Sequence, residues 1–237
     1  MTVAAYPGGH LSVWRGNDVL SFIDGLSTNL VLDLTKGCIR HTTFTTASAK
    51  VIDRVVLYHM GGFVAMVSHA AHWDALYSHV SPRILGQDVV ISIATSNNNF
   101  YVQYNHTQGL VGSFNSNDGV TTGITTGGYD LIVASKETDV AIDGTLEGFH
   151  LWRIANLVPW PGFEITAKHH ALACGLGSDV HPSKGCYIGQ EVLTRMMSRG
   201  KQGRELIALP LNQAKPGDIT TPSDEDVLAI VRIESIS

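Results

Sequence analysis

Cysteine is scarce in this chain: Cys38, Cys174 and Cys186 are the three among 237 residues, and no two form a C-x-x-C pair. An odd number spaced so widely suggests neither a disulfide framework nor a zinc site, and it fits a reducing compartment. A single exposed thiol also falls short of the four thiolates that an iron–sulfur cluster usually takes. Long apolar runs are missing too, since no stretch approaches the roughly 18 residues of a membrane-spanning helix. The opening MTVAAYPGGH has neither the basic region nor the apolar segment of a secretory signal, and no arginine-rich leader. A cytoplasmic location is expected, or the mitochondrial matrix if the source is eukaryotic. Basic residues are few: 16 Lys and Arg against 21 Asp and Glu give a formal charge of −5. That balance exerts no global attraction on nucleic acid. Neither a membrane nor directly bound nucleic acid is expected as a partner. His69, His72 and His79 lack the H-E-x-x-H pattern and have only Asp74 nearby, so no metal site is expected. Gly123, Gly127 and Gly128 lack the strand–G-x-G-x-x-G–helix setting of a dinucleotide fold. No period of about 20–50 residues recurs, which excludes a solenoid or propeller.

What remains is a chain with 44% hydrophobic residues, enough for one substantial core or two to three closely packed units. Leu11 to Trp14 reads as a strand, and Gly16-Asn17-Asp18 then precedes Val19, Phe22, Ile23 and Leu26, the spacing of one amphipathic helix. Between Gly37 and Leu57 β-branched and aromatic residues alternate with polar ones, predicting two strands. Phe63 to Val67 is a further strand, His69 to Val80 a helix stopping before Pro82, and Asp88 to Ile93 a strand. Asn115 to Gly119 reads as a turn region and Tyr129 to Val133 as a strand. Thr145 is placed to cap a helix running to Asn156, and Ala167 to Asp179 reads as helical and then loop-like. After Arg204 two apolar segments, Glu205 to Leu211 and Val227 to Ile233, read as strands.

The run Lys184 to Arg204, KGCYIGQEVLTRMMSRGKQGR, has a residue order too particular for packing alone. Gly185 and Gly189 flank Cys186, Tyr187 and Ile188, which suggests a turn whose backbone can take positive φ or approach another group closely. From Gln190 the apolar spacing becomes helical, with Glu191 four residues before Arg195 and Gly200 as a stop. A thiol just before a helix start, two residues from Lys184, is expected to be favoured as thiolate. The bland alternative is a structural cysteine beside a tight turn.

KGCYIGQE resembles the K-G-C-Y-x-G-Q-E signature of the YgfZ family, folate-binding proteins related to the glycine-cleavage aminomethyltransferases. GNDVLSFIDGLSTN is similar to the family's opening, in which a helix ends in G-L-x-T-N beside the folate cavity, and FHLWRIANLVP to its L-W-R-I-x-x-G-x-P segment. Leu157 stands where that segment carries glycine; Leu30 and Ala173 stand where aminomethyltransferases carry acids. The resemblance implies an α+β protein of the aminomethyltransferase/YgfZ-like fold, with mixed sheets and helices around a central channel. It also implies a folate-binding core over 1–200, in two intertwined subdomains, and a shortened C-terminal β unit over 201–237.

The implied function is a tetrahydrofolate-binding factor that supports assembly or repair of iron–sulfur clusters in client enzymes, tRNA-modifying enzymes among them. Its implied cofactor is tetrahydrofolate or a derivative, and its partners are folate and iron–sulfur client proteins. Cys186 would be the working thiol and Lys184 would steady its anion. Asp53 would be a carboxylate near the reduced pterin, the alternative being a strand-end acid paired with Arg54. Asn29, Tyr187, Gln190, Glu191 and Arg195 would shape the ligand site and turn. Arg153 would orient a folate carboxylate, unless it serves an ordinary ion pair. Pro159-Trp160-Pro161-Gly162 could wall a flat ring or form a surface packing turn. Two other readings stay open: a folate-dependent aminomethyl or one-carbon transferase, and a non-catalytic folate-binding scaffold. Enzymatic activity is left undecided.

Overall fold

The computed structural model describes residues 1–200 and 202–233. In chain order the first half holds β1 (Thr2–Ala5), β2 (Gly9–Arg15), α1 (Val19–Leu26), β3 (Ile39–Thr45), β4 (Val51–His59), β5 (Val64–His69), α2 (Trp73–Val80), β6 (Val90–Ile93) and β7 (Asn98–Tyr104). The second holds β8 (Phe114–Asn117), β9 (Val120–Ile124), β10 (Asp130–Ser135), α3 (Leu146–Ala155), α4 (Gln190–Arg199), β11 (Arg204–Pro210), β12 (Ile219–Thr221) and β13 (Asp226–Arg232). They form two five-stranded antiparallel sheets, ordered β1-β7-β10-β9-β8 and β3-β4-β5-β2-β6, and a three-stranded sheet, β11-β13-β12.

The alternation along β4 explains how the two large sheets stack. Val56 and Tyr58 join Ala4, Phe100, Val102, Leu131 and Trp160 in a cluster between the sheets. Val55 and Leu57 point the other way, into a second cluster closed by Phe22 and Ile23 of α1 and Leu76 of α2. Burying a strand on both faces in this way demands consecutive apolar residues, which β4 carries from Val55 to Tyr58. A third cluster joins Ile154, Ile165 and Leu193 to Leu206, Leu228 and Ile230 of the small sheet. The C-terminal β unit thus shares a core with residues before 200; residues 201 and 234–237 of that segment lie outside the described ones.

Thr145 caps α3 as its sequence suggests, its Oγ1 accepting from Gly148 N at 3.0 Å. Leu157, standing in the place of a glycine, keeps the turn by taking φ +53. Two readings need correction. Asn115 to Asn117 belong to β8, and the turn narrows to Asp118 and Gly119, both with positive φ as a two-residue hairpin requires. Ala167 to Asp179 forms successive turns with one short 3₁₀ segment, Gly177–Asp179, and no α-helix. Gly175 is left-handed, and Ala171, Ala173, Cys174 and Leu176 are all buried, which a single helix face could not achieve.

Candidate functional site

The Lys184–Gln190 turn is pinned from beneath. Lys184 is buried, and its Nζ donates to the carbonyl oxygens of Asp24 (2.6 Å), Ser27 (2.9 Å) and Asn29 (2.7 Å), with Asp24 Oδ2 at 3.2 Å. Those carbonyls belong to the C-terminal end of α1 and its exit, where a cation is favoured. Burial pulls the lysine below its ordinary pKa, and Asp24 opposes that shift. The ammonium's hydrogen bonds thus go to α1 and its exit, which makes Lys184 an anchor of the turn.

Thr45 Oγ1 donates to Ile188 O at 2.7 Å, tying the turn to β3. Gly189 has φ +87, and a Cβ there would lie 2.7 Å from both Thr45 Oγ1 and Thr46 O; both parts of the glycine expectation hold. Gly185 needs neither, having open space and no positive φ. Tyr187 is buried, its ring 5.2 Å from Lys184 Nζ, and Gln190 Nε2 donates to Lys184 O at 3.4 Å. Cys186 itself is exposed. Cys174, by contrast, is buried and its thiol is pushed up to about 12. The helix begins at Gln190, with Gly189 between the Cys186 turn and its first residue. Glu191 and Arg195 line a surface groove with Val192, Met196 and Arg199.

Deeper in, β3 and β4 pair so that His41 faces Val56 and Thr43 faces Arg54. Arg54, Val56 and His41 line a central cavity of about 30 Å³ together with Tyr6, Tyr129 and Trp160. That volume holds on the order of one water, so the expected channel is narrow at this point. An adjoining cavity of about 360 Å³ is lined by Asn29, Arg40, His41, Thr126, Ser178 and Asp179. Its size falls in the range of small-molecule sites. His41 is the residue shared by the two linings.

Strand alternation separates the two neighbours that the sequence suggested as a pair. Asp53 lies on the other face of β4, fully buried, accepting from Arg54 N (2.9 Å) and His69 N (3.0 Å), with His72 Nδ1 at 2.8 Å. The Arg54 guanidinium instead bonds Asp179, Nε to Oδ2 at 2.6 Å. Burial alone would raise the Asp179 carboxyl, but Arg54 overrides it and holds the group below its ordinary value. Burial drives His41 down to about 3, with Arg54 adding to the effect, so the ring is neutral.

Arg153 lines neither cavity. It is fully buried, bonding Glu164 Oε2 (3.0 Å), Val158 O (2.9 Å), His150 Nδ1 (3.0 Å) and Thr221 Oγ1 (3.1 Å). Its donors are spent within the chain, so the ion-pair alternative describes it. Asn29 bridges the turn and the larger cavity: Nδ2 donates to His41 O at 2.8 Å and its carbonyl receives Lys184. Trp160 and Pro161 do wall the central cavity. His41, Arg54 and Asp179 were missed as site residues. Strand alternation implies that Asp53 and Arg54 face opposite ways, but not which of them faces the cavities.

No family model matches the chain. In structure it is similar to the glycine cleavage system aminomethyltransferase T of Bartonella henselae, with a TM-score of 0.77 and 12% identity, over 98% of this chain and 78% of that one. The fold is that of the aminomethyltransferase. In sequence it is 29% identical over 118 residues to a chloroplastic protein of Arabidopsis thaliana whose name proposes a transferase. That match takes in 49% of this chain and 27% of the relative, so the matched stretch spans about a quarter of that protein. Set in the aminomethyltransferase fold, the central cavity lies between the large sheets, and the larger one reaches Ser178 and Asp179 in the segment that leads to Cys186. Among the described residues no helix is long and apolar enough to cross a membrane.

Proposed function

We propose that this chain binds tetrahydrofolate or a derivative and supports assembly or repair of iron–sulfur clusters in client enzymes, with Cys186 as the working thiol. One observation carries the reading. The exposed Cys186 sits on a turn whose two anchors, Lys184 and Thr45, grip Asn29 and β3, the same elements that line the 360 Å³ cavity. A ligand in the cavity and a thiol at the surface thus share one support. The KGCYIGQE resemblance and the aminomethyltransferase fold point the same way.

The cavity's donor set suits a reduced folate. Asn29, His41, Thr126 and Asp179 offer hydrogen bonds, and Ile39, Val111 and Ile124 give apolar surface to a flat ring. A bound folate would supply a reduced heterocycle. The chain orients it and positions the thiol. Cys186 thiolate would attack the outer sulfur of a persulfide or a disulfide, forming one S–S bond as another breaks and a thiolate leaves. The client would be an iron–sulfur enzyme, tRNA-modifying enzymes among the candidates.

One-carbon transfer is less well supported. It needs an acid beside the folate nitrogen, whereas Asp53 is engaged by His72 on the far face and Asp179, the carboxylate lining the larger cavity, is paired with Arg54. The test is calorimetric titration with tetrahydrofolate, followed by cluster occupancy of a client in cells carrying Cys186→Ser. Binding together with cluster loss supports the proposal. Binding with full occupancy would instead leave a folate-binding scaffold, and methylene transfer abolished by Asp53→Asn would restore the transferase.

A further inference from the structure

His41 Nε2 is a buried polar atom with no hydrogen-bond partner among the described residues, in a residue that is 4% exposed. Leaving such an atom unserved is costly, and buried polar groups almost always find a partner. The ring is not adrift: Nδ1 lies 3.1 Å from Thr126 Oγ1, so one edge is held while the other is free. Thr43, two residues on and on the same face of β3, carries a second buried hydroxyl without a partner. Both face the side of the sheet where the two cavities meet.

The charges around His41 cancel. Arg54 is paired with Asp179, and Arg40 with Asp33. A ligand group with net charge would meet no counter-charge here and would lose its hydration. A neutral ring edge carrying N–H and carbonyl or ring-nitrogen atoms would meet hydrogen-bonding partners in His41, Asn29 and Thr126.

We infer that His41 reads the polar edge of a neutral, planar heterocycle bound where the two cavities meet, with the ligand's charged portion directed to the open, Thr126 side of the larger one. Thr126 is exposed and acts as a positioning residue, fixing the ring through Nδ1. This rests on the folate reading for the ring's identity, a pteridine, and adds the residue that discriminates it. The neutrality of His41 is consistent with that role, since a charged imidazole would forfeit the acceptor.

Calorimetric titration of the full chain with tetrahydrofolate under reducing conditions tests it. His41→Phe keeps a planar ring but removes both nitrogens; it should bind at least tenfold more weakly, about 1.4 kcal/mol. Its ligand-free melting temperature should equal or exceed that of the parent. His41→Gln, which restores a hydrogen-bonding terminus, should recover most of the affinity. If H41F does not fold, the surface change Thr126→Val serves instead, with a severalfold loss expected. Undiminished affinity in H41F, or in T126V where that stands in, overturns the inference and leaves the folate reading intact. A parent protein that does not bind tetrahydrofolate overturns both.

Discussion

Lys184 and Cys186 are two residues apart, and their surroundings could hardly differ more. The ammonium has four oxygens within 3.2 Å; the thiol is exposed. The same contrast separates Arg153, whose donors end on Glu164, Val158, His150 and Thr221, from Arg195, which lines an open groove. One motif therefore contains two populations: groups with every valence used, which hold the backbone in place, and groups presented with valence to spare.

The contrast is broken hardest at Arg153. Replacing it with Met strands the Glu164 carboxylate in a fully buried site, with only Trp160 N and the Thr220 and Thr221 hydroxyls left to serve it. Loss of one partner of a buried ion pair costs about 3–5 kcal/mol. Urea denaturation should show that loss, and tetrahydrofolate affinity of the surviving folded fraction should be unchanged. A normal midpoint with lost binding would return Arg153 to the ligand.

Lys184→Met comes next, at about 2–3 kcal/mol, since a charged hydrogen-bond donor to three carbonyls disappears but Asp24 keeps bonds from Val31 N and Leu32 N. Reactivity of Cys186 toward iodoacetamide separates the two roles. An anchor lets the turn loosen, so alkylation stays equal or quickens; a charge stabilising the thiolate would make it slow on removal.

How far the sequence revealed this arrangement depends on the range of the contact. Periodicity located α1 from Val19, Phe22, Ile23 and Leu26, and alternation located β3 and β4, because each pattern is written within a few residues. Ala167 to Asp179 failed because alanine and leucine serve buried turns as well as helices. Pairing Asp53 with Arg54, the alternative to a carboxylate beside the pterin, rests on adjacency alone, and strand geometry sends adjacent side chains to opposite faces. Arg54–Asp179 and Lys184–Asp24 span 125 and 160 residues, and no local pattern encodes either meeting. The KGCYIGQE resemblance supplied the turn, not the direction of its lysine.

Acid sharpens the contrast at His41. Unfolded, its imidazole takes a proton near its ordinary 6.5; folded, burial delays that to about 3. Between those values the unfolded chain binds more protons, so stability falls as pH falls through that window. The share due to His41 should be about 2 kcal/mol between pH 8 and 5, at about 1.4 kcal/mol per unit once below 6.5. His41→Phe should remove that share and leave a shallower slope, since burial also lowers His10 and His69. Chemical denaturation of both proteins across the range measures it; parallel curves would mean that His41 is hydrated and able to protonate in the native state.

The smallest effect on stability belongs to the residue with the largest proposed role. Cys186 is exposed, while its turn is held by Lys184, Thr45 and the conformation of Gly189. Sulfur-to-oxygen replacement there removes almost no buried area, so Cys186→Ser should lie within about 0.5 kcal/mol of the parent. Tetrahydrofolate affinity should also be unaltered, because the cavity linings do not include it. Client cluster occupancy is then the one property expected to fall. A destabilisation well above that figure would place Cys186 with Lys184 among the anchors, and the division of the motif into held and presented groups would no longer stand.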